Sequence, residues 1–443
     1  MRTREQAFSG NQFSQAMQQS KYITILNSYE MTLRSCSANK YTMTTKIISH
    51  SERWQGYGIY ALYLTCFSCL LSSSMIALFS TVMLICWLAS GTFKNIPGII
   101  KENSITVFGI IFCCLLLIGV SYSPAPLIDS VGFLKKYRLL LFIPIVLSLT
   151  KGHVNVPRNV VNAFLLGYLV VLVNAYLVHF HLLEPNVMSV KRSGGGFLVI
   201  FAYLVLQRAL QEKTRRVLWT GFFLVLCYDI FFILHTRTGW LISIGLALLF
   251  VVQHFPLKKQ GIALALTVCL GVGVFYTSQS IQQRVQLTIN NLKAYHPEEK
   301  NSRTSIGLRL DWYQDSIDLI KEKPLFGYGT GSYATVQKKL IAGTATEAAS
   351  DPHNEFLLTA VQIGLVGCVF LLLFFLDPVI RSFRLLRLQE REQAFALQAT
   401  VLSLVIGCFF NSWLLSMIPS HIFVLLITVF YPVRTRHEQI DAS

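Results

Sequence analysis

Residues 57–90 read YGIYALYLTCFSCLLSSSMIALFSTVMLICWLAS. This run is either one long tilted helix broken at Ser72, Ser73 and Ser74 or two shorter helices, and the choice decides on which side of a membrane every later loop emerges. A helix needs about 20 mostly apolar residues to cross the hydrocarbon, fewer where it is buried among others. Taken as two helices, 58–72 and 74–90, the run is followed by ten more apolar segments: 104–121, 138–150, 158–182, 195–210, 217–235, 239–254, 260–277, 354–379, 395–413 and 417–432.

Charge selects the two-helix reading. With twelve spans and a cytoplasmic N-terminus, 23 of the 38 Lys+Arg fall inside, nine in one long outer loop and six on the outer side of short segments. Short cytoplasmic loops carry the excess of basic residues, whereas long loops translocate regardless of charge. Merging the first two helices would invert every later loop and reverse the bias. The expected fold is an all-α polytopic membrane protein of about 12 transmembrane helices, both termini inside, with one large extracytoplasmic loop containing short helices.

Composition agrees. The 443 residues are 53% hydrophobic and 14% charged with mean hydropathy +0.52, against about 25% charged in a soluble domain. The net charge of +16 would suggest nucleic acid in a soluble chain. Here the cations lie between apolar stretches, so they read as topology signals and contacts to lipid head groups, and no nucleic-acid partner is expected. Nine of the ten cysteines sit in apolar runs and Cys36 in the N-terminal tail, which suits neither a disulfide framework nor zinc.

The expected organisation is a polar tail over 1–56, helices over 57–277, the large loop over 278–353, helices over 354–432 and a cytoplasmic tail over 433–443. The first tail is rich in Ser, Gln and Thr and reads as disordered and cytoplasmic. No apolar core of a signal peptide precedes Tyr57, and Met31 or Met43 is an alternative start.

The loop of 76 residues is long enough to expect a function. An amphipathic helix is predicted from Gly307 to Lys323, stopped by Pro324. Phe326-Gly327-Tyr328-Gly329-Thr330-Gly331-Ser332 then spaces three glycines alternately, which suits either a tight turn or close approach of backbone to a ligand. Asp351-Pro352-His353-Asn354-Glu355 leads into the next span and puts His353 at the mouth of a helix.

Six cations stand on the outer side of short segments: Lys135, Lys136, Arg138, Lys191, Arg192 and Arg237. A histidine near neutrality can take a proton from a hydroxyl, and arginines present a planar fork that matches phosphate oxygens. One histidine with several arginines on one face is what transfer of a group from a lipid pyrophosphate to a hydroxyl needs. His353, Arg237 and Arg309 are the candidates, with Lys135, Lys136, Arg138, Lys191 and Arg192 as further cations. Each has a plainer reading as well: Arg237 beside Trp240 as an interfacial anchor, Arg309 in a salt bridge with Asp311 or Asp315, His353 as a helix cap, and the lysines as solvated or lipid-bound. Asp229, inside a span, is costly unless paired, and lying about two turns before Arg237 it is expected to pair on a neighbouring helix rather than with Arg237. Neither HxxxH nor DxD occurs, so no metal or other cofactor is expected, and the absence of GxxxxGK[ST] argues against ATP.

Four motifs in order, Arg237-Thr238-Gly239-Trp240, Gly307-Leu308-Arg309-Leu310-Asp311-Trp312, Pro324-Leu325-Phe326-Gly327-Tyr328-Gly329-Thr330-Gly331 and His353-Asn354-Glu355-Phe356-Leu357, resemble the O-antigen ligase and O-antigen polymerase superfamily. The resemblance implies a multi-pass enzyme of the bacterial inner membrane whose large periplasmic loop covers the active site. It implies transfer of a glycan from undecaprenyl pyrophosphate to a sugar hydroxyl of the lipid A core in lipopolysaccharide assembly, without a metal and with inversion. It places Arg237 and Arg309 on the pyrophosphate and His353 on the acceptor hydroxyl. Lys135, Lys136 and Arg138 fall where the family often carries basic residues, though no strict motif matches, and the tail before Tyr57 has no counterpart.

The superfamily also holds O-antigen polymerases and oligosaccharyltransferases that act on protein acceptors. The single late loop and the span count favour a ligase. A lipid-linked glycan transporter is the alternative of another class. It is disfavoured because neither inverted repeats nor broken helices are evident and the ionisable residues concentrate at one face.

Overall fold

The computed structural model describes residues 49–184, 195–234, 236–296, 304–343 and 347–432, and all of its helices belong to the unit that begins at His50. Residues 1–48 of the expected N-terminal tail, and the tail 433–443, lie outside that set. Helix opens at His50 rather than Tyr57, so 50–56 belong to the first helix and not to the tail.

The apolar runs fold as helices because a backbone in hydrocarbon must satisfy its own N–H and C=O groups. The first nine are α1 (His50–Ser68), α2 (Ser73–Ser90), α3 (Ile96–Glu102), α4 (Ser104–Val120), α5 (Leu127–Lys136), α6 (Phe142–Thr150), α7 (Val156–His179), α8 (Val199–Gln211) and α9 (Arg216–Tyr228). The rest are α10 (Arg237–His254), α11 (Leu257–Thr277), α12 (Gln279–Lys293), α13 (Gly307–Glu322), α14 (Tyr333–Leu340), α15 (Glu355–Arg387), α16 (Arg391–Phe410) and α17 (Met417–Phe430). No strand occurs among the described residues. The stretch 57–90 is two helices, α1 and α2, packed against each other.

Every expected span falls on a helix, but among the described residues length and apolarity qualify seven helices to cross a membrane, or eight if the pair Thr92–Glu102 and Ser104–Val120, bent by 98°, is one span. The remaining segments are shorter or more polar. The nine residues of α6 rise only about 14 Å; α8 and α17 belong to short apolar helices; α1 carries Glu52 in its first turn. The loop expected over 278–353 contains α12, α13 and α14, and α13 covers the predicted amphipathic helix, ending one residue before Lys323.

Burial of apolar surface drives helix association weakly in lipid, so close backbone approach has to hold the bundle. Small residues allow it. A Cβ on Gly167 of α7 would lie 2.3 Å from the Phe67 carbonyl oxygen of α1, and one on Gly407 of α16 would lie 2.0 Å from the Trp413 ring. α16 and α17 are buried along much of their length, whereas α11 buries only Ala263, as a lipid-facing helix does.

Helices are broken in places where none was expected. Asp229–Ile233 is a π-turn that ends the α9 helix, and α15 breaks at Ile363 and Gly364, the latter at φ +67° and ψ −167°. That conformation is essentially restricted to glycine. A glycine inside an apolar run looks like any other small residue, so the break leaves no mark in hydropathy.

Candidate active site

His353 stands immediately before α15. Asn354 caps that helix, its side-chain oxygen accepting from the Phe356 and Leu357 amides at 2.9 and 3.0 Å. His353 itself has φ +53°, uncommon for a residue with a Cβ. Asp351 holds it there: its Oδ1 accepts the His353 backbone N–H at 2.8 Å and the Ser412 hydroxyl at 2.8 Å. The imidazole Nδ1 lies 3.8 Å from the same oxygen, the side chain is 41% exposed, and its ring leans on Trp312 with centroids 5.5 Å apart. Trp312 is fixed in turn by its indole N–H donating to the Glu347 carbonyl at 2.9 Å. Nε2 is left without a partner among the described residues. Burial holds the imidazole pKa below its usual value; Asp351 pulls it up and the Arg309 charge pushes it further down. A neutral, oriented imidazole results.

Arg309 lies in the first turn of α13 and Arg237 is the first residue of α10. The Arg309 charge acts on both His353 and Arg237, and a third cation, Arg284 of α12, also acts on Arg237. Arg284 reaches this place because Ser278 both caps α12, accepting from Ile281 N at 3.4 Å, and donates to the Phe231 carbonyl of the π-turn at 2.8 Å. No carboxylate lies within salt-bridge distance of Arg237, Arg284 or Arg309 among the described residues. The salt bridge considered for Arg309 with Asp311 or Asp315 is therefore not formed. Like charges gathered without a counter-ion repel one another, and a multiply charged anion held through bidentate contacts relieves that repulsion.

One segment without any motif ties these residues together. The Phe409 carbonyl accepts from Tyr313 Oη at 3.1 Å and from Asn354 Nδ2 at 3.0 Å. Asn411 Nδ2 donates to Thr238 Oγ1 at 3.3 Å, and Ser412 Oγ to Asp351. The segment thus touches Thr238 next to Arg237, Tyr313 one turn beyond Arg309, and Asp351 and Asn354 on either side of His353. It falls at the end of the expected span 395–413, whose helix stops at Phe410 as Asn411 turns extended. A polar Asn411-Ser412 pair closing an apolar run was the available signal.

Lys135, Lys136 and Arg138 are exposed around the buried Tyr137. Tyr137 Oη donates to Oε1 of the fully buried Glu355, whose Oε2 accepts from Leu414 N at 3.0 Å. This network braces the start of α15. None of the three cations is among the charges acting on His353 or Arg237, and Arg138 donates to the Lys135 carbonyl at 3.1 Å. Lys191 and Arg192 lie outside the described residues. Asp229 accepts from Tyr168 Oη of α7 at 3.0 Å, a partner on another helix as expected.

The alternating glycines serve packing. Tyr328 N and Gly329 N donate to the Val361 and Gln362 carbonyls at 2.8 and 2.7 Å, and Thr330 N to Gly119 O at 3.0 Å. Gly331 N donates to Gln362 Oε1 at 2.6 Å. The run is docked into the break of α15 and onto α4, which is the turn reading of the two considered. No group of three or more metal-binding side chains occurs among the described residues.

Residues 222–372 match the family model described as O-antigen ligase, a segment that takes in all four motifs. An uncharacterized protein of Haemophilus influenzae is 26% identical over 257 residues, 55% of this chain, and the chain spans 64% of that protein's length. The match supports the O-antigen ligase superfamily for residues 222–372, and the apolar helices suit a multi-pass membrane protein.

Proposed function

We propose, from the O-antigen ligase domain carried by residues 222–372, that this protein is an O-antigen ligase of the bacterial inner membrane. It moves a glycan from undecaprenyl pyrophosphate to a sugar hydroxyl of the lipid A core, at the periplasmic face, without a metal and with inversion. The twelve helical segments are the crossings in this reading, and 278–353 is the periplasmic loop. What supports the chemistry is a chain of cations that begins at His353, with the Arg309 charge acting on both His353 and Arg237 and the Arg284 charge on Arg237, and no carboxylate paired to any of the three arginines among the described residues.

In the reaction, Nε2 of neutral His353 takes the proton of the acceptor hydroxyl. The oxygen bonds to the anomeric carbon from the face opposite the leaving group. The anomeric C–O bond to the pyrophosphate breaks, and its electron pair leaves on undecaprenyl pyrophosphate. Arg237 and Arg309, with Arg284, hold the charge that grows there, as preorganised donors do most effectively in a site shielded from water. Lys135, Lys136, Arg138, Lys191 and Arg192 have a lesser part, as cations on the same outer side that draw the anionic donor in.

Deletion of the gene tests the acceptor. Loss of a ligase leaves polymerised glycan on the lipid carrier and bare core, which is the expected phenotype. Loss of a polymerase leaves core capped by a single unit, and loss of a protein oligosaccharyltransferase leaves the core glycan intact; either result would replace the ligase assignment.

A further inference from the structure

At the other end of the same helices lies a cavity of about 160 Å³. Its polar lining comes from Glu102 and Asn103 at the α3–α4 break, Lys151 and His153 after α6, Arg381 of α15 and Gln393 of α16. The 20 residues of α16 run from Arg391, two before the cavity-lining Gln393, to Phe410, next to the Phe409 carbonyl that accepts from Asn354, which separates the two places by about 30 Å. That is roughly the thickness of the hydrocarbon, so the cavity stands at the opposite interface from the arginine cluster.

Two groups in it lack what their chemistry requires. Gln393 is 6% exposed. Its Nε2 donates to the Phe430 and Pro432 carbonyls, but its buried Oε1 has no hydrogen-bond partner among the described residues. A buried acceptor without a donor is costly. Arg381 is held by Nε donating to the Tyr431 carbonyl at 3.1 Å and by its guanidinium lying over the Tyr431 ring, 4.9 Å from the centroid. Its two Nη groups have no acceptor among the described residues. Lys151 Nζ adds charge at the rim, 3.3 Å from Glu102, and His153 Nδ1 rests 3.2 Å from the Lys151 carbonyl. One wall therefore offers cationic donors and the interior an unmet acceptor.

We propose that this cavity binds the head group of a membrane phospholipid. The phosphate oxygens take the Arg381 Nη groups and Lys151, and a hydroxyl or ammonium of the same head group donates to Gln393 Oε1. A lipid is the fitting source because the cavity sits at an interface and the same helix ends carry Lys94, Lys101, Arg158, Arg384 and Arg387, whose field attracts anionic lipid.

Native mass spectrometry of the full chain, purified in mild detergent and supplied with phosphatidylglycerol, tests this. One lipid should stay bound through delipidation, and millimolar inorganic phosphate should not displace it. Arg381→Gln should weaken retention about tenfold. Lys151→Gln, at an exposed position, should weaken it about fivefold, while Lys259→Gln, on α11 and outside the cavity lining, should leave it unchanged. The proposal fails if the wild type retains no lipid, if Lys151→Gln retains it as the wild type does, or if inorganic phosphate displaces the lipid and protects the protein from unfolding equally well.

Discussion

His353 carries three influences that can be separated by substitution. Burial and Arg309 hold its pKa down and Asp351 holds it up. A general base works in its neutral form, and a pKa below the usual 6.5 keeps it neutral at pH 7. The rate should stay level from neutral pH upward and fall only in acid. Asp351→Asn removes the upward pull and should move the acid limb of kcat/KM to lower pH; Arg309→Gln removes a downward push and should move it to higher pH. Shifts in the same direction, or none, would mean that the limb does not report His353. Arg309→Lys keeps the charge but loses the planar fork. It should leave the limb in place while transfer falls about 10-fold or more, and full activity would reduce Arg309 to a structural residue. His353, Arg309 and Arg237 were legible in the sequence as candidates because residue type and motif order single them out. Arg284 was not, since it is one of nine basic residues in a polar loop and only the Ser278 contact with the π-turn brings it to Arg237.

At the scale of elements, the site is built by carbonyls and caps rather than by the motifs alone. α15 is broken at Gly364 so that Leu365 N and Val366 N can donate to Pro324 and Leu325 of the glycine run, at 2.8 and 3.3 Å. A Cβ at Gly364 would lie 2.1 Å from the Leu325 carbonyl oxygen, and the backbone conformation alone costs a residue with a side chain about 1–3 kcal/mol. Gly364→Ala should therefore lower the melting temperature of the purified protein by several degrees, and an unchanged melting temperature would mean that the break is not needed. Hydropathy located these helices because burial and length leave a strong signal. It missed the breaks and the Phe409–Ser412 bridge, because backbone hydrogen bonds between distant segments leave no periodicity.

Over the whole molecule, the order of helices could be read from apolar runs and the parity of basic residues, whereas which of them cross could not. That depends on how short segments such as α6 pack beside longer ones, a tertiary property. In the proposed reaction arginines supply the positive charge that a metal supplies elsewhere, so transfer should be unaffected by a chelator; a strong loss on chelation, restored by a divalent cation, would overturn the metal-free reaction. The most direct measurement is transfer in proteoliposomes that hold the purified protein, lipid-linked glycan and lipid A core, comparing wild type with His353→Ala. The wild type should join glycan to core, and the variant, still inserted and folded, should be slower by about 100-fold or more. Movement of the donor across the bilayer with no transfer, or a variant retaining a tenth or more of the activity, would contradict the account.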